Sequence, residues 1–126
     1  MSGSNFALFE VAYTAFVDGG DLEPFHDMLE PDVEWRAWND EGNCHNRDEV
    51  MDTVRSAIAR GVRIELPEVI DAGDRLVLIP RDIPPFFPPG AEGFFQVVEF
   101  RNGKIVAMRD FIRRSEALAA AGIPSL

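Results

Sequence analysis

Apolar residues recur at intervals of three and four in the first half of the chain and at alternate positions in much of the second. The first period predicts helices and the second predicts strands. Over Asn5 to Asp18, Phe6, Phe9, Tyr13, Phe16 and Val17 share a helical face, and Gly19-Gly20 ends the helix. Asp21 is placed to cap a second, short helix with Leu22, Phe25, Met28 and Leu29 inward, stopped by Pro31. A short strand is expected over Asp32 to Trp38, then a polar loop, Asn39 to His45. Asn46 followed three residues later by Glu49 has capping-box spacing, which predicts a third helix to about Arg60 with Val50, Met51, Val54 and Ile58 on one face.

Beyond Gly61 the pattern favours strands. Val62 to Ile70 and Arg75 to Ile79 flank the turn cluster Asp71-Ala72-Gly73-Asp74. Ile83 to Gly93 carries two Pro-Pro pairs around Phe86-Phe87. Proline cannot donate to a ladder, so this segment is expected as a loop, an ordered rim or a lid. Phe94 to Arg101 and Lys104 to Arg113 should form a hairpin about Asn102-Gly103. Ser115 to Ala121 reads as a terminal helix stopped by Gly122 and Pro124. Three helices followed by antiparallel strands predict one α+β domain over residues 1–126: a curved, cone-shaped sheet packed against the N-terminal helices, with a pocket between them.

One residue breaks the pattern informatively. Along Lys104 to Ile112, Val106, Met108, Asp110 and Ile112 fall on one side of the strand, and only Asp110 is polar. A lone carboxyl there is an exposed strand end, half of an ion pair with a nearby arginine, or a group placed where its proton is used. The hairpin register bears on the choice. A two-residue type I′ turn pairs Arg101 with Lys104 and sets Phe95 opposite Asp110. A three-residue turn with a bulge pairs Phe100 with Lys104 and puts Phe94, Gln96, Val98 and Phe100 on the face of Asp110. The second register gathers Glu99, Arg101, Arg109 and Arg113 on the other face. It segregates charge better and is the expected one.

Composition narrows the function classes. The 126 residues include ten Phe and two Trp, enough for a core without disulfide or metal support. A formal charge of −10 disfavours nucleic acid and anionic membranes as partners. The single cysteine, Cys44, the lack of a basic-then-apolar N-terminal run and the lack of a long apolar stretch fit a cytoplasmic protein. Adjacent Cys44 and His45 near Asp40 and Glu41 lack the spaced second pair of a zinc site, so no metal is expected.

Several stretches carry a family resemblance. They are Tyr13 to Glu23 with its Asp18-Gly19-Gly20-Asp21 centre, Leu29-Glu30-Pro31-Asp32-Val33-Glu34-Trp35, Asn46 to Val50, Val69 to Arg75 and Val98 to Ile105. Together they resemble the nuclear-transport-factor-2-like superfamily, and within it the SnoaL-like and ketosteroid-isomerase-like proteins. The resemblance covers nearly the whole chain. It implies a small-molecule pocket, no cofactor and a homodimer formed through the exposed sheet face. Fold resemblance specifies chemistry weakly, because such folds host unrelated activities.

Residue by residue, Tyr13 is similar to the first-helix tyrosine that donates to an enolate in ketosteroid isomerases, and Gln96 to the strand position of their second donor. A glutamine amide can still donate there. The general base of those enzymes falls at Ala37, which takes no proton, so steroid isomerisation is not expected. Asp110 resembles the last-strand aspartate that SnoaL-type polyketide cyclases use as acid–base catalyst in an intramolecular aldol closure. The implied catalytic set is therefore Asp110, Tyr13 and Gln96, acting on a small apolar carbonyl or polyketide-like ligand. Phe16, Trp35, Phe94, Val98, Met108 and Ile112 are the expected lining. Structural readings stand beside these: Tyr13 and Trp35 as core aromatics, Gln96 as partner of a backbone group. A ligand-binding or structural protein without catalysis is the alternative, supported by Ala37.

Overall fold

The computed structural model describes residues 4–39, 42–61, 65–80 and 88–123. Helix α1 (Asn5–Gly19) opens where the Ser4 side chain accepts the Ala7 N–H at 3.1 Å. It closes on Gly20, whose left-handed φ of 68° lets its N–H return to the Phe16 carbonyl at 2.9 Å. Phe9, Ala12 and Phe16 are buried on its inner face. Helix α2 (Glu23–Met28) is one turn longer in sequence signal than in structure. Asp21 caps from outside, its Oδ1 accepting the Glu23 N–H, and Leu29 is already the first residue of strand β1 (Leu29–Arg36).

Pro31 therefore lies inside β1 instead of before it. The pairing of β1 with the last strand breaks between Leu29 and Glu34, which spans the proline. A residue without an N–H is tolerated there because β1 is the edge strand of the sheet. Helix α3 (Arg47–Ala59) is capped by Asn46, whose side chain accepts the Glu49 N–H at 2.9 Å. The expected return bond from Glu49 shifts by one residue, to the His45 N–H at 2.7 Å. Val50 and Met51 are buried, whereas Ile58 in the last turn is exposed and departs from the predicted inner face.

Strands β2 (Glu68–Asp71), β3 (Arg75–Ile79), β4 (Phe95–Arg101) and β5 (Lys104–Phe111) complete a sheet of order β1-β5-β4-β3-β2. The sheet is mixed, not wholly antiparallel as expected, because β1 runs parallel to β5. No tight turn joins those two strands, so local sequence does not dictate their relative direction. Phe100, Ile105, Met108, Leu76, Leu78 and Val98 face α1, α2 and α3 in one core layer. On the other side Val77, Phe95 and Val97 meet Ala117 of helix α4 (Arg114–Ala120) and Ala121 just past it. The terminal helix thus crosses to the outer face of the sheet.

The β4–β5 hairpin has the turn of one register weighed from sequence and the face assignment of the other. Asn102 (φ 53°) and Gly103 (φ 76°) form a two-residue turn with both centres left-handed, and Arg101 pairs with Lys104. The register then slips: Phe100 pairs with Ile105 but Glu99 with Ala107, leaving Val106 as the extra residue of a bulge. Beyond it Val98 faces Met108 and Gln96 faces Asp110: the expected residues share the inner face, but the pairs lie two residues along from the expected register, in which Phe94 would meet Asp110. A second correction concerns Val106. Ile105, fully buried, takes its place in the row with Met108.

Candidate functional site

Burial changes sharply between two neighbouring cross-strand pairs on the inner face. Val98 and Met108 are sealed at 0% and 3% exposure. The next pair, Gln96 and Asp110, is only partly buried, as are Phe94 before it, Ile112 after it and Trp35 on β1. Inner-face side chains are sealed toward the hairpin end and become part-exposed at Asp110. Val98 and Met108, expected as lining, lie buried next to that part-exposed row.

Three side chains converge there. The Trp35 indole N–H donates to Asp110 Oδ1 at 2.8 Å, and the Gln96 amide donates to the same oxygen at 3.0 Å. Among the described residues Asp110 Oδ2 has no hydrogen-bond partner. Parallel pairing of β1 with β5 brings Trp35 level with Met108, one face step from Asp110. The sequence reading left Trp35 as wall or core and missed its donor role. The signal was present in its chemistry, since a buried indole N–H needs an acceptor and Asp110 is the carboxylate on that face.

Burial pushes the Asp110 carboxyl up from 3.8 to about 6, and the bonds from Trp35 and Gln96 oppose that rise without cancelling it. Although the residue keeps some open surface, its carboxyl is largely enclosed by protein, which is why desolvation outweighs two donors. Among the described residues no ion pair accounts for Asp110. Neighbouring Arg109 points to the other face, its guanidinium 4.9 Å from the centre of the Phe111 ring.

Tyr13 lies apart from this triad. It stacks on Phe9 at 4.8 Å and meets Phe16 and Phe25 edge-on at 5.5 and 6.5 Å. Burial raises its hydroxyl to about 12, and no hydrogen bond joins it to Asp110. Phe16 is buried within the same aromatic cluster. The structure therefore brings together two of the three expected catalytic side chains and holds the third in the adjoining aromatic layer.

The β1–α3 connection folds back on Trp35. Cys44 and Trp35 exchange backbone hydrogen bonds at 2.9 and 2.8 Å, and Asn43 Oδ1 accepts the Ala37 N–H at 2.8 Å. The Cys44 sulfur lies 3.3 Å from Thr53 Oγ1 on α3. Burial raises the Cys44 pKa, with the Asp110 charge among the lesser contributors. His45 turns to Glu49. Among the described residues the one cluster of three possible metal-binding groups is elsewhere, at Glu23, His26 and Asp27 on α2, and is largely exposed. The Ile83 to Phe87 part of the proline-rich segment lies outside the described residues; Pro88 accepts the Ala91 N–H at 3.0 Å.

Known proteins with this architecture agree with the geometry. An NTF2-like protein of unknown function from Burkholderia pseudomallei K96243 is 25% identical, with a TM-score of 0.63 over 93% of this chain and 96% of the other. An NTF2-like protein from Burkholderia thailandensis E264 is 21% identical, with a TM-score of 0.65 over 97% and 99%. A protein from Pseudomonas putida KT2440, provisionally called a polyketide cyclase, is 17% identical, with a TM-score of 0.61 over 90% and 95%. No curated protein matches significantly. The model of the SnoaL-like domain matches residues 11–108, from α1 into β5, and the chain belongs to that family.

Proposed function

We propose that this protein is an acid–base catalyst of the isomerase or cyclase type, acting on a small apolar carbonyl or polyketide-like compound. One observation carries the reading: Asp110 has one oxygen held by two donors and the other without a partner among the described residues, where burial of the inner face eases. A carboxyl near pKa 6 is mostly ionised at neutral pH yet far more basic than an ordinary aspartate. Oδ2 would remove the proton α to a carbonyl and return it at another position, while Trp35 and Gln96 fix the carboxylate's orientation. Gln96 and, from the adjoining aromatic layer, Tyr13 would donate to the enolate-like oxygen. Phe16, Trp35, Phe94 and Ile112 would contact the apolar body of the ligand, beside the buried Val98 and Met108. The likeness to a protein called a polyketide cyclase supports this class at the level of fold. A homodimer through the part of the outer sheet face that α4 leaves open belongs to the same reading.

Deuterium exchange tests it. With a cyclic ketone as probe, NMR should show protein-accelerated exchange at the α carbon that rises through pH 6 and levels off. Asp110→Asn should reduce it by about 10²–10⁴-fold, the usual contribution of a positioned base. Exchange unaffected by that substitution would remove Asp110 from the chemistry. Ala37 and the separation of Tyr13 from Asp110 favour a second reading, a binding protein without turnover. Saturable ketone binding with no exchange would select it.

A further inference from the structure

Among the described residues Asp110 is the one carboxylate bonded to Trp35 and Gln96, and no cationic group answers it. Its causes of perturbation are burial, Trp35 and Gln96, with no lysine or arginine contributing. The groups facing it are an indole from β1, an amide from β4 and, more distantly, the Cys44 thiol after β1. The phenol of Tyr13 in the adjoining layer stays neutral. Every one of these is uncharged near neutral pH. An unanswered carboxylate in a poorly solvated, aromatic surrounding has a strong preference among ligands: it favours a cation and rejects an anion.

We propose that the part-exposed end of the inner face binds a protonated alkylamine, whose N–H is accepted by the free Oδ2 of Asp110 beside the indole of Trp35. The alkyl portion would lie toward Phe94 and Ile112, both partly buried at the rim. The hydrogen-bond inventory leaves room for such a donor. Oδ1 already accepts two bonds, and Oδ2 has open capacity. A carboxylate of the same size meets like charge there. The proposal uses the site assigned above but requires no turnover. An amine on Oδ2 would block proton transfer there, so it should also compete with the ketone probe.

Isothermal titration with n-butylammonium chloride tests this, using butyrate as the charge-reversed control. At pH 7.5 the amine should bind saturably and butyrate should not. At pH 5 the ionised fraction of Asp110 falls from nearly all to about a tenth, so the apparent affinity should weaken about tenfold. Glu49 remains ionised over this range, held low by His45, and Cys44 remains a thiol. His45 is exposed and engaged with Glu49, and the variant arm separates any contribution from it. Asp110→Asn should abolish saturable binding while changing a formal charge of −10 only to −9, so general attraction of cations to an acidic protein would survive it. An isotherm unchanged in that variant, or unchanged in the native protein at pH 5, overturns the proposal. So does equal binding of butyrate. Heat of amine binding and deuterium exchange of a ketone are separate readouts, so either reading can fail alone.

Discussion

The two faces of the β4–β5 hairpin treat charge in opposite ways. On the outer face Arg75 and Glu99 approach at 3.9 Å, and Arg109 lies over Phe111. They border a shallow groove floored by Val97, Ala107 and Ala120. Each charge there has a partner, water or both, so each costs little and contributes little. On the inner face one carboxylate sits among apolar and aromatic groups with two donors and, among the described residues, no counter-ion. Residues one position apart on the same strand, Arg109 and Asp110, thus sit in opposite regimes. Charge that stabilises is cheap and outside; charge retained at a cost is inside, where burial eases and chemistry can use it.

That contrast can be broken most directly by moving the inner charge one pair deeper. Val98→Asp would place a carboxylate in the sealed part of the inner face, without access or prepared donors. It should cost about 4 kcal/mol or more, read as the shift of the urea midpoint. If the cost is as small as for an outer-face charge, the inner layer is wetter than its burial indicates.

Asp110→Asn should act the other way. The folded-state pKa of about 6 exceeds the unfolded value near 3.8, so the folded state holds the proton more tightly. Stability of the native protein from this group is therefore full below pH 3.8, declines as pH rises to 6, and is flat above that. The variant lacks this dependence. Relative to the native protein it should gain about 2–3 kcal/mol between pH 4 and pH 8, by urea unfolding at each pH. A gain that grew toward acid would reverse the assigned sign.

Trp35→Phe keeps the ring and removes one donor from Oδ1. The Asp110 pKa should rise further, by about one unit, seen in the carboxyl carbon shift during an NMR titration. A lowered pKa would mean that the site admits water when the indole is gone. The smallest effect belongs to the outer face. Arg75→Ala should change stability by less than about 1 kcal/mol, and the difference should shrink in high salt.

Much of the fold was legible because it rests on local signals. Gly20, Asn46 and Asn102-Gly103 each mark an element end through backbone geometry or a capping oxygen that the residue type announces. That Gln96 shares a face with Asp110 was also legible, since charge segregation fixes which residues turn inward, but their direct pairing was not. What failed was non-local. The direction of β1, the crossing of α4 to the outer face and the level of Trp35 against β5 depend on contacts far apart in sequence. Pro31 misled for a related reason: a helix stop and an edge-strand residue share the same missing N–H.

The bulge at Val106 makes the location of the carboxylate a matter of parity. With the same two-residue turn and an unbroken ladder, Phe95 would oppose Asp110, and the acid would project toward α4. The surplus residue restores odd-for-even, returning Asp110 to the side of Trp35. Deleting Val106 would only remove the bulge and leave Gln96 opposite Asp110, whereas a single-residue insertion between Ala107 and Arg109 that keeps the bulge is a transposition: it would carry Arg109 inward and the acid outward without altering any side chain. In this strand, chain length is as much a part of the site as the aspartate.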